Sequence, residues 1–309
     1  MYAIETRHLS KQYGHFQALT DVNLSVPARS IYGFIGLNGA GKTTTMRTLL
    51  NMIKPTSGEA LILGQNVTQV KADFWNNVGY LIETPQAYAN LTTQENLEMY
   101  TQLRKIPKSE RESRINTYLE ALDLIDYRDK PVKELSLGNR QKIGLVKALI
   151  HHPKVLLLDE PTNGLDPQGL NQVRLLLKHL AHDEGTTILI SSHILAEMEQ
   201  MLTHIGILNH GAMVRQESYA DFTRRMQLKT IATFQTSAEQ SHAQLLLNDH
   251  GIGATVLDGQ LIISQRDDVK AAITLLAEHT IIPTSWHPQV NRLEDYFLNL
   301  LDGEAPNHD

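Results

Sequence analysis

Apolar residues along the first two thirds of the chain occur in two patterns, short continuous runs and a 3-4 spacing. Apolar runs without alternation, in "IYGFIG", "HPKVLLLDEP" and "GTTILISSH", predict buried strands of a parallel sheet. Apolar residues at 3-4 spacing predict a helix after the first run, and a second helix, "QGLNQVRLLLKHLAH", between the other two. This βαβ rhythm predicts an α/β fold built around a parallel sheet.

Two parts of the chain depart from that rhythm. From about residue 85 to 135, apolar residues at 3-4 spacing lie among charges, which predicts a helical insert. After about Ser218 the pattern starts again and predicts a small α+β domain of βαββαβ order, with a capping box from Ser237 to Gln240 and a hairpin turn at Asp258–Gly259. A final amphipathic helix, "NRLEDYFLNLL", is predicted to follow it.

Four glycines, a lysine and three threonines crowd the run "GFIGLNGAGKTTT" after the first buried strand. Its spacing is G-x-x-x-x-G-K-T, in which backbone N–H groups ring a phosphate, the lysine reaches the terminal phosphates and the threonine hydroxyl reaches Mg²⁺. An ordinary glycine turn is the alternative, but the flanking strand and helix patterns favour a phosphate loop. We expect it to bind a nucleoside triphosphate through Gly36, Leu37, Asn38, Gly39, Ala40, Gly41, Lys42, Thr43 and Thr44, with Thr43 also a metal ligand.

Two adjacent carboxylates, Asp159 and Glu160, end the apolar run "VLLLDEP". Open α/β folds place their ligands at the carboxyl ends of parallel strands. We therefore expect Asp159 to hold Mg²⁺ through water, and Glu160 to orient and deprotonate the attacking water. A solvated acidic strand end is the alternative.

Between these two motifs lies "LSLGNRQKIGLVKALI". Ser136 and Gly138 stand before a predicted helix, so a hydroxyl, backbone N–H groups and the helix dipole face any anion there. Taken alone, the segment favours an ordinary serine-capped helix. Its position makes the chain resemble the ATP-binding cassette (ABC) family, whose signature L-S-G-G-Q precedes the acidic strand in the same order. Leu137 replaces a signature glycine, so the backbone there must avoid positive φ or accept strain.

The resemblance covers about residues 3 to 217 and implies roles for three more residues. Tyr13 matches the aromatic residue that stacks on adenine, Asp166 in "NGLDP" matches the loop at the dimer interface, and His193 in "ISSH" matches the histidine that contacts the γ-phosphate during catalysis. In the family, ATP lies between the phosphate loop of one cassette and the signature of a second. The resemblance therefore implies an ATP hydrolase that uses Mg²⁺ and dimerises with an identical or sibling cassette, whose nucleotide is bound by Ser136, Gly138 and Asn139.

Composition limits the partners and the cellular location that we expect for the protein. The 309 residues include 28 basic and 34 acidic ones, a net charge of −6, so there is no global basic field to attract nucleic acid and no such partner is expected. The absence of cysteine excludes disulfides, thiolate metal sites and thiol catalysis. No apolar run reaches the roughly 18 residues of a membrane span, and the start of the chain has no signal-peptide pattern. We expect a cytoplasmic protein that meets a membrane only through a partner.

Three kinds of ABC protein are compatible with a cassette of this type. A transporter motor has one cassette and a membrane partner, a translation factor has two tandem cassettes, and a chromosome or repair protein splits its cassette with a long coiled coil. The chain has one phosphate loop, and no sustained heptads separate Lys42 from Asp159, which favours transport. A soluble ABC-type ATPase acting in regulation, translation or DNA maintenance is the alternative.

Within transporters, the chain resembles the ATPase subunits of bacterial exporters for antibiotic resistance and for bacteriocin or lantibiotic self-protection. The segments "GYLIETPQAYANLTTQENL" and "SSHILAEMEQM" carry this resemblance, together with the C-terminal extension. It implies a membrane-spanning permease partner that holds the chain at the cytoplasmic face of the cell membrane. It also divides the chain into an ABC ATPase domain, 1–217, and an accessory domain, 218–309, that could dimerise, regulate or brace the cassette.

Most cassettes have glutamine where this chain has Glu83, and glutamate there resembles the bacitracin and lantibiotic subgroup. The resemblance implies that Glu83 acts in catalysis and as a metal ligand, its carboxylate approaching Mg²⁺ and the attacking water when the dimer closes. Gln86, three residues on, is the rival for this role. A Glu83 that merely faces solvent is the remaining alternative.

Overall fold

The computed structural model describes residues 1–82, 87–192, 198–226, 230–257, 259–263 and 266–288. The chain divides into two units, Met1–Tyr219 and Ala220–Asp309. Glu83, Gln86, His193 and the predicted final helix lie outside the described residues, so the expectations for them stay predictions. Among the helices of the described ranges, none has the length and hydropathy needed to cross a membrane.

The elements of the first unit alternate largely as the sequence pattern predicts. Its helices are α1 Lys42–Leu49, α2 Thr93–Leu103, α3 Lys108–Ala121, α4 Leu137–Leu149 and α5 Pro167–His182, with 3₁₀ turns at Ala72–Asn77, Ile125–Tyr127 and Val132–Glu134; α6 Tyr219–Met226 begins at the boundary of the units. Its strands are β1 Tyr2–Tyr13, β2 Phe16–Val22, β3 Ser25–Pro27, β4 Ile31–Ile35, β5 Ser57–Ile62, β6 Gln65–Asn66, β7 Val78–Leu81, β8 Val155–Asp159, β9 Thr187–Ser192, β10 His204–Asn209 and β11 Ala212–Ser218.

The central sheet has six strands in the order β11-β10-β4-β9-β8-β7. Five of them run parallel, and only the edge strand β11 is antiparallel to its neighbour. Strands β4, β8 and β9 are buried at every position, which confirms the interpretation of their apolar runs. Because β4 and β8 both pair with β9, the loop after β4 and the carboxylate at the end of β8 reach the same edge of the sheet.

A second, antiparallel sheet has the order β2-β1-β5-β6, with β3 paired to β1. The two sheets share one apolar core, in which Ile4 and Leu9 of β1 belong to the same buried cluster as Phe34 of β4 and Leu157 of β8. This core fixes the strand that ends at Tyr13 within the same unit as the phosphate loop.

The helical insert is present where the charge-rich 3-4 pattern predicts it. Helix α2 begins with a capping box in which Glu95 N donates to Thr92 Oγ1 at 3.1 Å and Thr92 N donates to Glu95 Oε2 at 2.7 Å. Helix α4 lies against β7 without a side chain between them, because a Cβ at Gly79 would lie 2.0 Å from Ala148 O. The helix that begins at the signature is therefore in main-chain contact with the central sheet.

The second unit has the predicted βαββαβ order. Its elements are β12 Thr230–Thr233, α7 Ser237–Asp249, β13 Ala254–Leu257, β14 Gln260–Ile263, α8 Arg266–Glu278 and β15 Ser285–Pro288, and its antiparallel sheet has the order β13-β14-β12-β15.

One local prediction in this unit is wrong by a residue. Thr236, not Ser237, caps α7: its Oγ1 accepts from Glu239 N, and Thr236 N donates to Glu239 Oε2, both at 3.2 Å. The reason is that Thr236 has the extended backbone that a cap requires, with φ −130° and ψ 152°, whereas Ser237 is already helical. The capping box therefore pairs Thr236 with Glu239 rather than Ser237 with Gln240.

Candidate nucleotide-binding site

The phosphate loop connects β4 to α1, and Gly41 is the residue that makes its turn. Gly41 has φ 107°, which side chains rarely adopt, and a Cβ there would lie 2.7 Å from Leu19 Cδ2. Leu37, Asn38 and Gly39 are exposed at the outside of the loop. The loop thus presents backbone to solvent directly at the start of a helix, the arrangement that suits an anion.

Lys42 lies across this loop and is almost completely buried. Its Nζ donates to Gly36 O at 2.6 Å and to Leu37 O at 3.3 Å, and 6% of its side chain is exposed. Burial lowers the pKa of Lys42 below its ordinary value, and the negative charges of Glu160 and Asp159 offset part of that effect. The loop therefore holds a cation whose charge is only partly balanced by carbonyl groups.

Thr43 joins the loop to the acidic end of β8. Its Oγ1 donates to Asp159 Oδ2 at 2.6 Å, and the Asp159 side chain is buried. A hydroxyl and a carboxylate are both oxygen ligands of the kind that Mg²⁺ prefers, so the two residues fit the metal that the sequence predicts here.

Glu160 follows Asp159 with an unusual backbone. Its φ is 50°, in the left-handed region that non-glycine residues seldom occupy, and its Oε1 lies 3.9 Å from Lys42 Nζ. Its N–H donates to Ser191 Oγ at 3.2 Å and to Ser191 O at 3.3 Å. The second carboxylate is thus held close to the loop lysine by contacts to its main chain.

Ser191 is a site residue that sequence reasoning missed. It lies in β9, is fully buried, accepts from Glu160 N and donates a short hydrogen bond to Asp159 Oδ1. The available signal was a pair of hydroxyl residues, Ser191 and Ser192, directly after the apolar run 188–190 in the strand beside β8. A single serine therefore fixes both acidic residues.

The signature segment begins α4 as a capped helix. Ser136 Oγ accepts from Asn139 N at 3.1 Å, and Leu137 is the first helical residue, so its backbone avoids positive φ as expected. Asp166 begins α5 in the same way, since its Oδ1 accepts from Gly169 N at 2.8 Å and Pro167 occupies the first helical position. The contacts of these residues inside the chain are those of helix caps.

The starts of α4 and α5 open onto one cavity of about 460 Å³. Ser136, Gly138 and Asn139 line it from α4, and Gly164 and Asp166 line it from the loop before α5. No phosphate-loop residue is among those that line this cavity. The structure brings the signature residues and Asp166 together, in a group separate from the loop and the carboxylates.

Tyr13 ends β1 at a hairpin. Its Cα pairs with that of Phe16 across the turn, and 43% of the residue is exposed. Lys11 Nζ lies 4.9 Å from the centroid of the Tyr13 ring. The tyrosine is thus an exposed ring on a rigid hairpin and not a core residue.

A groove of about 580 Å³ is lined by residues of β7, of α2 and of the 3₁₀ turn Ala72–Asn77. Tyr100 is its central aromatic group: Arg104 Nη2 donates to Tyr100 Oη at 2.9 Å, and Lys147 Nζ lies 6.0 Å from the ring centroid. Burial raises the pKa of Tyr100 above its ordinary value, with Arg104 acting in the opposite direction. Three exposed hydrophobic residues, Met52, Tyr80 and Leu103, line this groove.

Comparison with known proteins links these features. A family model described as "ABC transporter" matches residues 19–163. The bacitracin transport ATP-binding protein BcrA of Enterococcus faecalis is 37% identical over 304 residues, which are 98% of this chain and 97% of that protein. The lantibiotic transport ATP-binding protein SrtF of Streptococcus pyogenes is 37% identical over 216 residues, 70% of this chain and 91% of that protein.

Among solved structures, an ATP-binding subunit of an ABC transporter superposes with a TM-score of 0.66 at 29% identity. The match covers 72% of this chain and 92% of that one.

Proposed function

The chain belongs to the ABC transporter family, and on that basis we propose that it is the ATP-binding and ATP-hydrolysing subunit of a bacterial exporter. Its cargo class is antibiotic peptides and similar amphipathic compounds. The observation that carries the proposal is the hydrogen bond of 2.6 Å from Thr43 to Asp159, which unites the phosphate loop with the acidic strand. Lys42 and Glu160 lie beside it, 3.9 Å apart.

The chemistry of this site follows from the charges it holds. The phosphates of ATP replace the carbonyls of Gly36 and Leu37 as partners of Lys42, and the N-terminus of α1 adds backbone N–H groups. Thr43 and Asp159, the latter through water, would hold Mg²⁺, which would supply positive charge to offset that of the phosphates. Glu160 accepts the proton of the water that attacks the γ-phosphorus, and ADP leaves. His193 and Glu83 are proposed to act at the same centre, as the family resemblance implies.

A second cassette completes the site. Ser136, Gly138 and Asn139 are proposed to contact the partner's nucleotide, and Asp166 to lie at the interface between the two cassettes. The exposed N-termini of α4 and α5 around one cavity support this role, because both offer helix-dipole charge to an anion from outside the chain. Tyr13 is proposed to stack on adenine, which its exposure allows.

A membrane-spanning permease is the proposed second partner, and it holds the chain at the cytoplasmic face of the membrane. We assign its docking place to the groove beside β7 and α2, which is lined by the exposed residues Tyr80 and Leu103 and by the cationic Arg104. An apolar floor with a cation at its edge suits an amphipathic cytoplasmic segment with an acidic end.

The cargo proposal rests on the names of two relatives. One is called a bacitracin and the other a lantibiotic transport ATP-binding protein, and the first matches nearly the whole chain, the accessory unit included. We extend to this chain only the shared class, export of peptide antibiotics.

The proposed function is tested by co-purification. We expect the full chain to bring down a polytopic membrane protein when both are expressed together, and that protein in vesicles to stimulate ATP turnover several-fold. Cells with the pair should tolerate a peptide antibiotic that kills cells expressing the Lys42→Ala variant. A chain that hydrolyses ATP, binds no membrane protein and protects no cells would favour a soluble regulatory ATPase instead.

The groove assignment has its own matched pair of variants. Leu103 and Leu175 are both exposed leucines, at 71% and 60%, and only Leu103 lines the groove. We expect Leu103→Glu to reduce permease stimulation, expressed as a ratio to each variant's own unstimulated turnover, and Leu175→Glu to leave that ratio unchanged. Equal ratios for both variants would place the permease elsewhere.

A further inference from the structure

We infer that Gln141 positions Glu160, and that it thereby connects the signature end of α4 to the hydrolysis centre of the same chain. The inference rests on the proposed function, because it takes Glu160 as the base for water attack. Gln141 acts through the main chain of Glu160, so it is a positioning residue.

The contact is a single buried hydrogen bond between two motifs. Gln141 is 5% exposed, and its Nε2 donates to Glu160 O at 3.1 Å. The same carbonyl also accepts from Asn163 N at 3.3 Å. The Glu160 carbonyl therefore has a partner without Gln141, and satisfying a buried acceptor does not by itself account for a glutamine here.

The backbone of Glu160 explains what the bond does. A left-handed φ of 50° is strained for a residue with a side chain, so the surroundings must impose it. Ser191 holds the Glu160 N–H from β9, while Gln141 and Asn163 hold the carbonyl from the other side. Loss of Gln141 removes the shorter of the two contacts to the carbonyl and leaves Asn163 N, at 3.3 Å, as its partner. The strained peptide is then less firmly held, and a small rotation of it moves the carboxylate of Glu160 relative to Lys42.

Helix α4 connects this hydrogen bond to the signature. Gln141 follows the cap residue Ser136 by about 7 Å along the helix axis, at 1.5 Å per residue. A stretch this short moves as one body. When the partner's nucleotide engages Ser136, any displacement of α4 is transmitted through Gln141 to the main chain of Glu160. The position of Glu160 in each cassette thus depends on whether the partner's nucleotide is bound at the signature of the same chain.

Two glutamine variants separate this role from general support of α4. Gln141 lies on α4 and Gln172 on α5, and each joins α4 to another segment through its side-chain amide. Gln172 Oε1 accepts from Lys142 Nζ of α4 at 2.8 Å, and none of its described hydrogen bonds is to Glu160. We expect Gln141→Met to lower the single-turnover rate at saturating ATP and Mg²⁺ by about 10- to 100-fold, with ATP affinity within twofold, as for a misplaced catalytic group. Gln172→Met should stay within twofold in both measurements.

The Gln141→Glu variant adds a pH signature that a structural role lacks. An ionised carboxylate cannot donate to the Glu160 carbonyl, whereas a protonated one can. The rate of this variant relative to the unmodified chain should therefore be low at pH 8 and rise as the pH is lowered toward 6. This variant also decides the question if Gln141→Met does not fold.

The inference is overturned if Gln141→Met hydrolyses ATP at the normal rate. It is also overturned if Gln141→Met and Gln172→Met slow together with equal losses of thermal stability, or if the relative rate of Gln141→Glu does not change with pH. The Glu160→Gln variant, run beside them, isolates the proposed function. If Glu160→Gln keeps its turnover, the base is assigned wrongly; if it is inactive while Gln141→Met is normal, only the positioning role fails.

Discussion

The two groups of candidate nucleotide contacts in this chain are built differently. Around the phosphate loop, Lys42 and Asp159 are buried and interact electrostatically, and Glu160 Oε1 lies 3.9 Å from Lys42 Nζ. At the starts of α4 and α5, Ser136 and Asp166 are exposed, and their contacts inside the chain are with the turns they cap.

The difference in burial between the two groups has a physical reason. Buried charges lose hydration, and a fold keeps them only where they are paired and useful, so the loop group indicates a centre prepared for chemistry before ATP arrives. Serine and aspartate are favoured helix caps in any protein, so the signature group is stable without a ligand. Changes in the first group should therefore alter chemistry, and changes in the second should alter assembly.

The largest effect is expected at Lys42. Lys42→Ala removes the cation that meets the terminal phosphates, so ATP affinity should fall and ATP hydrolysis should be abolished. Calorimetry and a phosphate-release assay measure both. Lys54→Ala, at an exposed lysine, is the control, and equal behaviour of the two variants would reject the loop assignment.

Glu160→Gln should separate binding from chemistry within the loop group. The amide keeps the shape and cannot take the proton, so turnover should fall about 10²- to 10⁴-fold while ATP still binds. The variant should accumulate as an ATP-bound dimer in size-exclusion chromatography. Normal turnover would move the role of base to another residue, with His193 the next candidate.

Ser136→Arg tests the signature group. Bulk and charge at this cap should block ATP-driven dimerisation, and with it turnover, while ATP binding by the monomer at Lys42 stays intact. Ser136→Asn keeps a capping side chain and serves as the control for helix integrity. Active dimers of the Ser136→Arg variant would show that the signature does not act across the interface.

A smaller effect is expected at Asp166, because its contact in the chain is a cap. Asp166→Ala should lower stability by about 1 kcal/mol, or roughly 2–4 °C in the thermal midpoint. Asp166→Asn retains the cap and should show no such loss, so any defect in its dimerisation reports the charge alone. A midpoint unchanged in Asp166→Ala would mean that the cap adds nothing to the stability of α5.

The smallest effect is a pH dependence of the loop group. Burial lowers the pKa of Lys42 in the free protein, and bound phosphates raise it again, so ATP binding at alkaline pH takes up a proton. Affinity should weaken as the pH rises through the lowered pKa. Calorimetry in two buffers of different ionisation enthalpy measures the uptake, and Lys42→Arg, which stays charged, should show none. Absence of uptake in the unmodified chain would contradict the assigned direction.

Local patterns made most of the fold predictable. The phosphate loop, the acidic strand and the buried strands are each encoded within a few consecutive residues, and the structure has β4, α1, β8 and β9 where these patterns lie. The cap of α7 shows the limit of such patterns. Thr236 and Ser237 are adjacent hydroxyl residues, and only the backbone conformation decides which of them caps the helix.

The supporting residues of the site were not predictable in this way. Ser191 meets Glu160 across a separation of 31 residues, and Gln141 meets it across 19. Both contacts are to the main chain of Glu160. Main-chain groups are the same for every residue type, so the identity of residue 160 does not indicate these partners. The groove is likewise assembled from segments between Leu50 and Lys105 that are far apart along the chain, so its apolar lining has no single period.

Gly79 has a consequence for how this subunit can evolve. Any side chain at this position would lie against the Ala148 carbonyl, so β7 and α4 meet as two rigid main chains with no deformable atoms between them. Strand β7 also lines the groove through Val78 and Tyr80. The side chains of the groove can therefore change during evolution to suit a new membrane partner. Position 79 is confined to glycine, because every other residue would change the spacing between the groove and the signature helix.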